Sequence, residues 1–310
     1  MRIVFYGNWS VSYSSETHHA QALEDLGHEV IRLQEPEVSA SALIEESQGA
    51  GLFVWIKTHG WDTPDMDDVI QSLRSRGIPI ITYHLDLYMG LERWKEYQNN
   101  PYLNSLDHFF TVDKAMAEYL NYHTPVQGHY LPAGVSHREC YAIDAPRDLD
   151  VVFVGSHNYH HEWKYRQELI GKLREHYGDR FHLFPGDNAP AVRGRDLNLL
   201  YARTKVVVGD TLCIGYDYPY YWSDRIYETT GRGGFLIHPK IVGLETQFGD
   251  GIHLRFYDYG NFEQLFSLID HYLVADEERE AIRADGNSHT HAYHTYIHRW
   301  QTILKTLEMT

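Results

Sequence analysis

Cysteine is scarce in this chain. Cys140 and Cys213 are the only two in 310 residues, and they form neither a zinc-ligand spacing nor a disulfide framework. Such usage predicts a reducing, cytosolic compartment. Long apolar runs are missing too: no stretch approaches the roughly 20 residues that a membrane span needs. Met1-Arg2-Ile3-Val4-Phe5-Tyr6 leads straight into a strand, with no signal-peptide pattern. Basic residues are outnumbered, 27 Lys+Arg against 43 Asp+Glu, giving a formal charge of −16. Up to residue 135 the chain holds 8 basic and 18 acidic residues, and beyond it 19 and 25. Both parts are acidic, the first more so. This argues against broad binding to nucleic acid or an anionic membrane and leaves room for a local basic patch. The turn after the first strand lacks G-x-G-x-x-G, which excludes a dinucleotide site of that kind there. There is no internal repeat and no low-complexity tract.

What is present alternates. Apolar strand-like runs at 3–6, 29–33, 51–56, 78–83 and 107–112 are separated by helical patterns at 16–26, 39–47, 65–76 and 113–121. Gly27 stands where a helix C′ glycine belongs. The segment 132–148, with Pro132, Gly134 and Pro146, reads as a linker. Beyond it the pattern restarts: strands at 150–154, 180–184, 205–209, 234–237 and 252–256, and helices near 161–176, 195–203 and 261–273. Strands alternating with helices predict parallel sheets covered on both faces. At 310 residues the chain exceeds one typical core and suits two such domains. The expected class is α/β, with an N-terminal domain over 1–135, a linker over 136–148, a second domain over 149–290 and a closing segment over 291–310. In open α/β sheets the strand carboxyl ends line the ligand crevice.

The most informative stretch is Ser223-Asp224-Arg225-Ile226-Tyr227-Glu228-Thr229-Thr230-Gly231-Arg232-Gly233-Gly234-Phe235-Leu236. It reads as a short helix capped by Ser223 and Asp224, running through glycines that admit close backbone approach into an apolar strand. Arg225 near a helix start suits a pyrophosphate, and Glu228, one turn on, suits a pair of ribose hydroxyls. The same residues also fit a capped surface helix with an i,i+3 ion pair. Gly155-Ser156 follows one strand and precedes a helix, a position where backbone N–H groups meet phosphate. Arg166 fits either a phosphate contact or a structural ion pair. Gly215-Tyr216-Asp217-Tyr218-Pro219-Tyr220 offers flat rings to a sugar or a base, or simply packs its own loop.

The Ser223–Leu236 pattern resembles S-x-R-x-x-E-x-x-x-x-G-x-F-L, the donor-site helix of GT-B glycosyltransferases, in particular the group-1, CgeB-like branch. Asp150-Val151-Val152-Phe153-Val154-Gly155-Ser156, Arg166, Gly243-Leu244-Glu245-Thr246-Gln247-Phe248, Asp276–Gly286 and His294-Thr295-Tyr296-Ile297-His298-Arg299 continue it. The match covers nearly all of 148–300 and is much weaker before that. It implies GT-B architecture: two Rossmann-like domains facing a cleft, with a C-terminal helix crossing back to the first. It implies that Ser223, Arg225 and Glu228 bind the donor nucleotide, Glu228 through the ribose. It also implies that the loop Phe184-Pro185-Gly186-Asp187-Asn188 cradles the base. Retaining members carry a second glutamate eight residues before the first, where this chain has Tyr220, so anomeric outcome stays open.

For the acceptor side, the loop after the first strand supplies Asn8, Trp9 and Tyr13. Asp86, at the end of another strand, is a candidate general base, and His59 is a second one; each also fits a loop-capping role. The His157/His160/His161 and His289/His291/His294/His298 groups lack the carboxylate of an H-E-x-x-H site, so structural roles and no metal are expected. The resulting expectation is a cytoplasmic glycosyltransferase. It would move a sugar from a nucleotide-diphosphate donor, UDP-sugar favoured, to a hydroxyl acceptor (saccharide, small molecule or protein) without metal or cofactor. Alternatives are a phage-type enzyme glycosylating a hydroxylated base in DNA, disfavoured by charge, a non-catalytic nucleotide-sugar-binding or scaffold protein, and a sugar-nucleotide epimerase of GT-B shape.

Overall fold

The computed structural model describes residues 1–309 apart from Arg93, 159–161, Asp187, Asn188 and 213–217. The chain divides into two compact units, Met1–Pro132 with Tyr296–Thr310, and Ala133–Thr295.

The first unit runs β1 (Arg2–Gly7), α1 (Ser15–Asp25), β2 (Glu29–Gln34), α2 (Ala40–Glu46), β3 (Leu52–Trp55), α3 (Met66–Ser75), β4 (Ile80–His84), α4 (Trp94–Gln98), α5 (Tyr102–Ser105), β5 (His108–Thr111), α6 (Lys114–His123) and β6 (Gln127–Tyr130). All its strand pairs are parallel, in the order β2-β1-β3-β4-β5-β6. β3 and β4 are buried throughout, and β1 from Ile3 onward, as their apolar runs require. Val4, Tyr6, Phe53, Trp55, Ile80 and Phe109 form the centre of the core. The side chains of Ser14, Ser39 and Asp113 accept from backbone N–H groups at the starts of α1, α2 and α6.

The second unit runs β7 (Leu149–Val154), α7 (Tyr165–Tyr177), β8 (Phe181–Phe184), α8 (Gly194–Arg203), β9 (Thr204–Val208), α9 (Arg225–Gly231), β10 (Leu236–Pro239), β11 (Arg255–Tyr257), α10 (Phe262–Val274) and α11 (Asp276–Tyr293). This sheet too is parallel, ordered β11-β10-β9-β7-β8. Val151, Phe153, Val206, Val208 and Ile237 pack beneath Leu169, Leu173, Leu265 and Ile269. The last helix, α12 (Tyr296–Thr306), belongs to the first unit, where Trp300 is fully buried.

The α/β class and most elements are as the sequence pattern predicts, and 132–148 carries no helix or strand until β7. Four elements were not anticipated: α4, α5, β6 and the long α11. No helix among the described residues is long and apolar enough to cross a membrane. Each sheet reverses its strand order once, between β1 and β3 and between β7 and β9. Those reversals mark the crevice of each unit.

Candidate functional site

In the second unit, the reversal brings together the residues after β7 and after β9. Gly155 has φ +153° and donates its N–H to the Phe184 carbonyl, 2.7 Å away. A Cβ on it would lie 3.1 Å from the Phe153 ring, 3.4 Å from Arg225 Nη1 and 3.5 Å from Arg166 Nη1. The backbone conformation, which L side chains rarely adopt, favours glycine at this turn, and two guanidinium groups stand in contact range beside it.

The two arginines are treated differently. Arg166 Nε and Nη2 donate to the two oxygens of buried Asp210 at 2.7 and 2.9 Å, and Nη1 donates to the Ser156 carbonyl at 3.2 Å. Of its two expected roles, Arg166 takes the structural ion pair. Arg225 Nη1 donates to the Val154 carbonyl, but its Nε is buried without a hydrogen-bond partner. Among the described residues it has no carboxylate within 4.0 Å. Burial opposes its charge, yet Tyr201, Asp224, Glu228 and Asp210 acting at longer range keep its pKa above the ordinary value. A cation held in a protein interior without a direct counter-ion is costly unless an anion completes it.

Glu228, half-buried on α9, has Arg232 Nη2 at 3.6 Å. The i,i+3 pair with Arg225 is not formed, because the Arg225 side chain turns to the end of β7. Two further expectations are corrected here. Asp224 lies in the helical region and makes no side-chain cap bond, and Ser223 Oγ is buried without a partner while its N–H goes to Thr211 Oγ1 at 3.0 Å. The glycines around α9 serve internal packing. A Cβ on Gly231 would meet Thr290 and Val135 at 3.3 Å, on Gly233 Ala142 at 2.8 Å, and on Gly234 Thr229 at 2.8 Å. Each of these glycines admits a close approach of neighbouring chain.

Phe184 and Pro185 close β8 with a cis peptide, and Gly186 pairs with Ala189 across a tight loop, N–H to carbonyl 2.9 Å. Asp187, Asn188 and Asp217 lie outside the described residues, as do His160 and His161. Tyr220 has φ +57°, donates its N–H to the Val242 carbonyl at 2.9 Å and lays its ring over Gly243. A non-glycine residue held left-handed is a strained arrangement of the kind that collects at binding sites. His289 Nε2 lies 2.7 Å from the Gln247 carbonyl and 3.1 Å from His294 Nε2, and His291 Nε2 lies 2.9 Å from the Gly231 carbonyl.

In the first unit, the loops after β1 and β3 meet at the other reversal. Asn8 Oδ1 accepts from the N–H and hydroxyl of Ser10 at 3.1 and 2.6 Å. The Trp9 indole donates to the Leu33 carbonyl at 2.9 Å, and Tyr13 is exposed. His59 and Asp86 are both exposed, and the Asp86 carbonyl stands 3.2 Å from His84 Nδ1. One residue here escaped the sequence reading. Glu35 is fully buried, and its carboxylate accepts from Trp55 Nε1 at 3.1 Å and from the Thr58 N–H at 2.7 Å. Burial pushes its pKa up. It ties the end of β2 to the loop that carries His59, whose other side is held by the Lys57–Asp62 pair at 3.1 Å. A lone acid before proline gave no signal of this.

Residues 144–305, more than half of the chain, match the model of a family described as glycosyl transferase-like. No curated protein sequence matches the chain. Among solved structures, it is similar along its whole length to Anabaena Alr3699/HepE in complex with UDP-glucose, with a TM-score of 0.69 at 12% identity and 100% of each chain covered. It is similar to an alpha-glucosyltransferase in complex with UDP-glucose and DNA containing an abasic site, with a TM-score of 0.72 at 10% identity and 99% of each chain covered. Sucrose-phosphate synthase from Thermosynechococcus elongatus gives a TM-score of 0.61 at 13% identity, with 99% of each chain covered. These likenesses establish the GT-B fold, and the family match establishes that this chain belongs to the glycosyl transferase-like family of enzymes.

Proposed function

We propose that the enzyme transfers a sugar from a nucleoside-diphosphate sugar, a UDP-sugar by preference, to a hydroxyl acceptor, without metal or cofactor. One observation carries the reading: Arg225 is a cation with a buried, unpartnered Nε and, among the described residues, no carboxylate at contact distance, at the strand-order reversal of the second sheet. A diphosphate supplies the missing anion. In the reaction the sugar's anomeric carbon passes from the diphosphate oxygen to the acceptor oxygen, and negative charge grows on the leaving diphosphate. Arg225 stabilises that charge, with Gly155 and Ser156 offering backbone at the same turn. Glu228 takes the ribose hydroxyls, and Phe184, Pro185 and Gly186 border the base. Tyr220 and Asp217 serve the sugar. In the first unit Asn8, Trp9 and Tyr13 border the acceptor, and Asp86 or His59 removes its proton.

The choice of UDP leans on the UDP and UDP-glucose complexes among the structural relatives. One relative was captured with DNA containing a modified base. For this chain, 18 acidic against 8 basic residues up to position 135 oppose a DNA acceptor. The test is a thermal-shift panel of UDP, GDP, ADP, CDP and dTDP, with and without EDTA. A ligand at about 100 times its Kd stabilises by about 2.7 kcal/mol. One diphosphate raising the melt, unchanged by EDTA, is the expected result. No shift from any of them overturns the donor assignment, and loss of the shift in EDTA overturns metal independence.

A further inference from the structure

Two like charges beside one turn need an arrangement that keeps both in place. Arg166 and Arg225 each bring an Nη1 within 3.5 Å of the point where a Gly155 Cβ would stand. Asp210, two residues past β9 and 2% exposed, takes one of them completely in the fork geometry, at 2.7 and 2.9 Å. The third Arg166 nitrogen is thereby aimed at the Ser156 carbonyl, 3.2 Å away. The Asp210 carboxylate is spent on Arg166 and does not contact Arg225.

We infer that Asp210 is a positioning residue for diphosphate binding: through Arg166 it fixes the Gly155–Ser156 turn, and it leaves Arg225 as the cation that meets the ligand. This rests on the donor-site reading above. Stability alone gives little reason to keep such a pair. A buried ion pair is often matched or exceeded in stability by apolar residues of similar volume. Orientation is what apolar residues do not supply. Lysine would keep the charge, yet it lacks the planar fork that holds Asp210 and Ser156 at once.

The experiment compares uridine with UDP by titration calorimetry, on wild type, Arg166→Lys and the double variant Arg166→Met/Asp210→Leu. Loss of one charge-assisted hydrogen-bonding arm predicts about tenfold weaker UDP binding in either variant, with uridine unchanged within about twofold. A merely structural role would weaken both ligands in parallel or neither, leaving the UDP-to-uridine ratio of wild type, and that ratio overturns the inference. Arg166→Lys keeps the buried charge pair, so it carries the test if the double variant does not fold. A wild-type chain that binds uridine and UDP equally sinks the donor reading itself. UDP preferred in wild type with an unaltered ratio in the variants sinks only the role of Asp210.

Discussion

Acidification tests the docking of the closing helix. His19 on α1 is fully buried, and its Nδ1 accepts from Trp300 Nε1 of α12 at 3.2 Å. Its ring lies 4.3 Å from Tyr296 and 5.0 Å from Tyr83, and its Nε2 is buried without a hydrogen-bond partner. Burial, with a smaller push from His18, lowers its pKa to about 3. An unfolded chain titrates this group near 6.5. Above about pH 6.5 both states are neutral and stability is whole. As pH falls further the unfolded chain takes up a proton that the folded one refuses, so stability is lost between about 6.5 and 3. At about 1.4 kcal/mol per pH unit, roughly 2 kcal/mol is gone by pH 5. Urea unfolding followed by tryptophan fluorescence at pH 7 and pH 5 measures it. His19→Asn offers Trp300 an acceptor and does not titrate. Wild type should lose about 2 kcal/mol more than the variant over that range, because every other titrating group is common to both. Equal losses would refute the placement of a neutral imidazole under α12.

Two further outcomes separate ligand binding from folding. Arg225→Met removes a cation that has no contacting carboxylate among the described residues, so the melting temperature should hold or rise while UDP affinity falls about a hundredfold, near 3 kcal/mol. A lower melting temperature with UDP binding retained would make Arg225 structural. If Glu228 holds the ribose, wild type should prefer UDP over its 2′-deoxy analogue by about tenfold or more. Glu228→Ala should bind the two alike and lose at least about tenfold in activity. A variant that still discriminates assigns the ribose to another residue.

The sheets were legible where strands are covered on both faces. Such strands read as unbroken apolar runs, as in Ile3–Tyr6 and Val151–Val154. The elements that escaped lack that signature for identifiable reasons. β6 is a short edge strand carrying Gly128 and His129, and a Cβ on Gly128 would lie 2.3 Å from the Ala117 carbonyl. Its glycine is there for the packing of α6, which only the tertiary structure reveals. α11 is heavily charged up to Asp285, polar beyond it, and its pattern is interrupted by Gly286, which lies against the His253 carbonyl. Its regularity lies in pairs such as Asp276–Arg279 and Glu280–Arg283, both at 2.7 Å, rather than in an apolar stripe.

The candidate site shows a sharper division. Residue types at Arg225, Glu228, Gly155 and Arg166 were readable, but the sequence could not say which arginine is spent and which is free. That distinction is made by Asp210, and the rule that singled out Asp86 applies equally to it: a carboxylate directly past an apolar strand stands at the crevice. Val206-Val207-Val208-Gly209-Asp210 fits that rule as well as Thr82-Tyr83-His84-Leu85-Asp86. The two acids then part company in three dimensions. Asp86 is exposed, whereas Asp210 is buried against a guanidinium. A general base must reach a substrate proton, and a carboxylate closed over by Arg166 has no free edge for one. Strand-end position therefore nominates acids, and only their surroundings separate them: Asp210 is closed over by Arg166 of α7, whereas Asp86 is open to solvent and meets the first requirement of the general base proposed above.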